Sequence, residues 1–166
     1  MKDVMVDAEW LGERIASVAL VMFDRTTGET GAEYYARIKW ANKRDQTGSL
    51  CPETVYWWFT QHQAARDELT DKQGRVPAFQ SAAEIKEFLG DHRPTEFWQR
   101  GDTDRATLEK AMWPLGGAPW EFRQWNDVRT ITKLWPSDHR GNHHALNDCK
   151  AQIKQLMEAL TCLGQV

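Results

Sequence analysis

Cysteine is scarce in this 166-residue chain and poorly placed for cross-linking: Cys51, Cys149 and Cys162 are odd in number and show no C-x-x-C spacing. That excludes a disulfide framework and a cysteine-based zinc knuckle, and it fits a reducing, intracellular setting. Long apolar runs are missing too, and the N-terminus carries one lysine and then acidic residues where a targeting segment would be basic and then apolar. A soluble, cytoplasmic protein without membrane contact is expected. Positive charge is in short supply as well: 21 Lys and Arg stand against 24 Asp and Glu, for a net charge of -3. A broad basic surface that holds nucleic acid by charge alone is thereby excluded, so any contact with phosphate has to come from local groups or metal ions. There is no repeat, linker or low-complexity tract, and the length fits a single domain, 1–166, with its own core.

What is abundant is tryptophan, nine residues spread from Trp10 to Trp135. Most should pack a core, leaving one or two to stack on a ligand. The most informative stretch is Lys2 to Leu11, where the apolar run Val4-Met5-Val6 stops at Asp7, with Glu9 two residues on. This is how a strand buried on both faces ends at an open sheet edge. Alternation along a strand projects Asp7 and Glu9 the same way. Two carboxylates so close repel each other unless a proton or a cation intervenes, so the pair marks a candidate divalent-metal site. A lone D-x-E is a weak signal, and it needs company.

Ile15 to Phe23 reads as a second strand, closed by a turn at Asp24 to Gly28, and Glu33 to Trp40 as a third, paired with it as a hairpin. Residues Ala41 to Ser49 read as a loop. Pro52 opens a helix with Val55, Trp58 and Phe59 inward, and Gln63 to Asp71 forms another. Ser81 with Glu84 suggests a capping box for a helix that turns Ile85, Phe88 and Leu89 inward and stops at Gly90. Glu96 to Gln99 is a short strand and Asp104 to Trp113 a helix. A last strand falls between Trp120 and Trp125, a short helix at Val128 to Leu134, and a long helix at Ala145 to Leu163. The order predicts an α/β domain with a mixed sheet, three antiparallel strands first and parallel strands added, flanked by helices.

Two further acidic positions could return to Asp7 and Glu9. At the junction Gln99 to Asp104, Gly101 allows a sharp turn, and either Asp102 or Asp104 could face a cleft outside the strand end. At Asn142 to Asp148, His143 and Asp148 would lie about 140° apart on a continuous helix and could not share a face. Gly141 and Asn142 place the helix start near His144, which leaves His143 on the entering loop, over the same cleft as Asp148. A rival zinc site would use His139, His143 and His144. Pro136 and Gly141 argue against helical continuity there, and hard carboxylates nearby favour magnesium or manganese.

D-x-E at Asp7 and Glu9, an aspartate opening a mid-chain helix, and H-x-A-L-x-D from His143 to Asp148 together resemble the DEDD exonucleases of the histidine subtype. That superfamily includes the proofreading subunit of bacterial DNA polymerase III, ribonuclease T and oligoribonuclease. The nearer likeness is to the exonuclease VIII-like and mycobacterial exoribonuclease-like branch, in which a segment similar to Pro52 to Trp58 follows the third strand. The resemblance implies a ribonuclease H-like fold, with Asp7, Glu9, Asp104 and Asp148 as ligands of two Mg²⁺ or Mn²⁺ ions and His143 as general base. Asp104 is preferred to Asp102 because Asp104-x-x-x-Leu108-Glu109 holds the family register. The implied reaction is 3'-5' exonucleolytic hydrolysis of DNA or RNA, releasing nucleoside monophosphates, with Trp10 and Leu11 bordering the terminal nucleotide. The implied partner is a nucleic-acid 3' end, and a homodimer is compatible. Trp10 stands where many members have threonine, and Thr103 where many have phenylalanine, which bears on substrate preference. The alternative is a non-catalytic binding module that retains the fold, but no ligand of the set is missing.

Overall fold

The computed structural model describes residues 1–164 apart from 42, 44, 45, 47 and 136–140. His139 of the zinc alternative lies outside the described residues. Five strands form one mixed sheet in the order β3-β2-β1-β4-β5. β1 (Asp3–Trp10), β2 (Ile15–Phe23) and β3 (Thr30–Arg37) are an antiparallel meander, and β4 (Glu96–Gln99) and β5 (Trp125–Asp127) add in parallel beyond β1. The helices are α1 (Pro52–Phe59), α2 (Gln63–Thr70), α3 (Ala78–His92), α4 (Thr103–Met112), α5 (Val128–Thr132) and α6 (Ala145–Cys162).

Alternation along the central strands divides the core into two layers. Val4, Val6 and Ala8 of β1 join Val18, Leu20 and Met22 of β2 against Ile85 and Leu89 of α3 and Leu108 and Met112 of α4. Met5 faces the other way, with Ala19, Val21 and Phe23, against Cys149, Ile153, Leu156 and Leu160 of α6. Both faces being covered explains why β1 and β2 read as continuous apolar runs. A third cluster, Leu11, Ala16, Trp58, Ala65 and Leu69, ties α1 and α2 to the sheet edge, with Trp40 packed against it.

Several boundaries differ from the sequence expectation. The third strand is Thr30–Arg37, three residues earlier than expected, because pairing with β2 sets its register from Phe23↔Thr30 to Ser17↔Arg37. Ile38 instead forms a lone parallel bridge to Val76. The helix expected to begin at Ser81 starts at Ala78 behind Pro77. Ser81 lies inside it, its hydroxyl 2.9 Å from that of Tyr34, so it packs and does not cap. Gly90 does not stop that helix; Arg93 does, in the left-handed region at φ 48°. On α1 only Trp58 is buried, while Phe59 is 61% exposed. The last strand is Trp125–Asp127, after a 3₁₀ turn at Phe122–Gln124.

Candidate active site

Asp7 and Glu9 continue the row that Met5 begins on the α6 side of β1. Pairing of β1 with β4 ends at Met5↔Trp98, so the two strands part just before the carboxylates. A register shift at Glu9/Trp10 in the pairing with β2 bends the strand end further. The gap beyond these parallel strand ends is a cleft of about 630 Å³, whose lining includes Asp7, Glu9, Trp10, Asp104, His143 and Asp148.

Each wall has a local cause. Gly101, at φ +105°, turns β4 sharply into α4, and a side chain there would crowd the Arg129 guanidinium. The turn leaves Asp102 exposed at the N-cap of α4, without a capping hydrogen bond, and places Asp104 in the first turn with only 6% exposure, lining the cleft. The structure thus brings Asp104, and not Asp102, to Asp7 and Glu9. Across the cleft, Asp148 lies in the first turn of α6 and accepts backbone N–H bonds from Asn142 (2.7 Å) and His143 (3.1 Å). Gly141 is pressed against that carboxylate, and a side chain at this position would strike it.

The same bonds fold the entering loop so that His143 sits at φ 58° outside the helix, as expected. Its ring is held edge-on against Trp57 at 4.8 Å and Trp58 at 5.8 Å between centroids. Trp58 in turn donates its indole N–H to the Trp10 carbonyl at 3.1 Å, so α1 braces the loop and the end of β1 together. Glu9, His143 and Asp148 offer ligand atoms within 4.8 Å of one another. His144 turns away at the N-cap of α6 and stacks on Tyr35 at 4.8 Å, with Nε2 3.9 Å from Glu68.

The electrostatics are those of crowded acids. Burial holds the Asp7 carboxyl well above the usual carboxylate range, and the charges of Asp104, Glu9 and Asp148 add to it; the Gln152 side-chain N–H, 2.6 Å away, opposes it. Glu9 is pushed up to about 8 by burial and then by Asp148, Asp104 and Glu68. Asp104 rises to about 7, again by burial first, while hydrogen bonding from the Ala8 backbone and the Trp10 side chain pulls it down. Carboxylates that repel one another in a half-dry cleft fit the hard oxygen donor set of a divalent cation, which would remove both penalties.

Trp10 lies between the cleft and a neighbouring apolar recess of about 470 Å³ formed with Glu53, Thr54, Trp57 and Trp58. Leu11 does not reach either; it is fully buried in the Trp58 cluster, because Gly12 turns the chain immediately after it. Sequence reasoning missed Arg100, Gln152 and Gln155, which also line the cleft. The signal was present: Asp148, Gln152 and Gln155 fall at i, i+4 and i+7 on α6, a polar stripe of one helix face.

The sequence model of the family described as "3'-5' exoribonuclease Rv2179c-like domain" matches residues 2–160. No curated protein matches the chain by sequence. Among solved structures, a 3'-exonuclease recognising the histone mRNA stem-loop superposes with a TM-score of 0.65 at 11% identity, covering 96% of this chain and 81% of that one. The nuclease domain of 3'hExo, a DEDDh family member bound to rAMP, gives 0.62 at 12% identity, covering 99% and 94%. Exonuclease X with 5' overhanging duplex DNA gives 0.56 at 13% identity, again covering 99% and 94%. The fold is that of the ribonuclease H-like DEDDh exonucleases, and no described helix is long and apolar enough to cross a membrane. With a family match over nearly its whole length and a cluster of acidic residues gathered at one cleft, the chain belongs to the Rv2179c-like 3'-5' exoribonuclease domain family and is a metal-dependent 3'-5' exonuclease.

Proposed function

We propose that this chain removes nucleoside monophosphates one at a time from the 3' end of RNA, with Asp7, Glu9, Asp104 and Asp148 holding two Mg²⁺ or Mn²⁺ ions and His143 as general base. The observation that carries the reading is the convergence of these five side chains, from four separate segments, on one cleft. The bound ions would supply Lewis acidity at the scissile phosphate and an activated water. His143 takes a proton from the attacking water as the new P–O bond forms and the P–O3' bond breaks, and the departing 3' oxygen takes a proton from solvent. Its ring is suited to this by position: the left-handed backbone and the contacts with Trp57 and Trp58 hold it at the cleft beside Glu9 and Asp148. Trp10 forms the wall against which the terminal base rests, a stacking contact typically worth ~1–3 kcal/mol. RNA is favoured over DNA by the family's description as exoribonuclease.

The test is incubation with 5'-labelled single-stranded RNA, single-stranded DNA and overhung duplexes in Mn²⁺. A one-nucleotide ladder shortening from the 3' end, strongest on RNA, is expected. Absence of product on every substrate with Mg²⁺ or Mn²⁺, or recovery after chelation with Zn²⁺ alone, overturns the reading.

A further inference from the structure

The polar stripe of α6 runs past the carboxylates. Asp148 holds the loop, Gln152 donates to Asp7, and Gln155, one turn further, accepts a hydrogen bond from Arg100 Nη1 at 2.8 Å. Seven residues of helix separate Asp148 from Gln155, about 10 Å on the same face. Arg100 comes from the end of β4 and lines the cleft at this far end.

Arg100 differs from the arginines around it. Arg129, the next arginine at this end of the sheet, is neutralised by Asp127 at 2.8 Å, and Arg105 reaches Glu109 at 3.7 Å. Among the described residues Arg100 has a neutral amide as its hydrogen-bond partner and no carboxylate in ion-pair range. Gln155 is 5% exposed, so it is a fixed bracket that aims the guanidinium without cancelling its charge. A second observation lies between Arg100 and the acids: Gln152, 6% exposed and lining the cleft, leaves its Oε1 buried without a partner. Among the described residues, this wall therefore presents a cation without a carboxylate partner, with an unused acceptor buried in the helix face beside the acids. The guanidinium complements a phosphate, whose oxygens accept its N–H groups.

We propose that Arg100, positioned by Gln155, binds the phosphate one step upstream of the scissile one. The inference rests on the exonuclease reading of the same cleft. Held to Gln155, which stands about 10 Å along α6 from Asp148, the Arg100 guanidinium lies beyond the phosphate clamped by the acids and their ions, so it selects chains that carry an upstream phosphate over free product. This gives an acidic protein a directional hold on the strand: product, lacking the upstream phosphate, is released.

The experiment is fluorescence anisotropy of a 5'-fluorescein RNA hexamer, with Ca²⁺ as the divalent ion to suppress turnover, at several salt concentrations, alongside calorimetry with adenosine monophosphate. Arg100→Gln should weaken the hexamer roughly fivefold or more and lower its salt slope by ~0.7, the value for one single-strand phosphate contact. Binding of the monophosphate should be unchanged. Arg100→Lys should restore the slope, and Gln155→Ala should weaken the hexamer while keeping it. An unchanged slope in Arg100→Gln, with its melting temperature intact, overturns the assignment; so does an equal loss for monophosphate and hexamer. A wild-type protein that binds neither probe overturns the exonuclease reading, and this inference with it.

Discussion

Replacing Glu9 with glutamine should make the metal-free protein more stable and the metal-loaded protein less so. Glu9 titrates near 8 in the folded chain against 4.5 for an ordinary glutamate, with burial and then the neighbouring acids as the cause. A carboxyl whose folded pKa is raised contributes stability that is complete below the unfolded value and is lost as pH rises through the folded one. At pH 7 the folded chain must keep a proton that the unfolded chain releases, a cost of about 3 kcal/mol if Glu9 carried the whole effect. Sharing with Asp7 and Asp104, and the water that reaches a half-buried side chain, reduce this to ~1–2 kcal/mol. For a chain of this size that corresponds to a rise of roughly 3–6 °C in melting temperature. Scanning fluorimetry in chelator should therefore show the wild type losing stability from pH 5 to pH 8.5, with a flatter curve for Glu9→Gln that crosses above it. Millimolar Mn²⁺ should reverse the order, since an ion that binds only the folded state stabilises whichever protein binds it better. A variant that melts at or below wild type in chelator at pH 8.5, together with a pH-independent wild type, would refute the crowding argument.

His143→Ala should lower the maximal rate by ~100-fold or more with metal affinity little changed, whereas His144→Ala, which loses a stack on Tyr35, should cost far less in rate; steady-state kinetics with metal titration separates the two. Asp148→Asn should abolish turnover and also raise hydrogen exchange at the amides of Asn142 and His143, because the same carboxylate accepts both. Trp58→Ala should destabilise the fold by ~3–5 kcal/mol in urea titration, the range for truncating a fully buried aromatic residue, and lower the rate because His143 loses a supporting edge.

How legible the site was depended on where each residue's neighbours lie. Asp7, Glu9 and the first turn of α6 were readable because their placement follows from local rules: strand alternation, and a helix start marked by Gly141 and Asn142. Asp104 against Asp102 was readable only through family register, since which aspartate enters the cleft depends on the turn at Gly101 and on β1 across the gap. Leu11 was misjudged for the same kind of reason: its burial comes from Trp58 and Leu69, distant in sequence. Ser81 shows a tertiary partner overriding a capping pattern, as Tyr34 draws its hydroxyl into the layer beneath α3. Gln152, Gln155 and Arg100 stayed hidden because a search for apolar faces passes over a polar stripe whose meaning appears only once β4 is packed against it.

The row Met5, Asp7, Glu9 also carries a lesson about how such a protein can change. Because β1 is buried on both sides, its two faces are interlocked like the two sides of a printed page. Deleting one residue before Asp7 would turn the carboxylates into the hydrophobic layer beneath α3 and α4 and bring Ala8 and Trp10 to their places in the cleft. A slipped first strand would cost core packing as well as catalysis; catalytic register and core register are inherited together. An insertion or deletion in β1 is therefore felt by the core and the cleft at once.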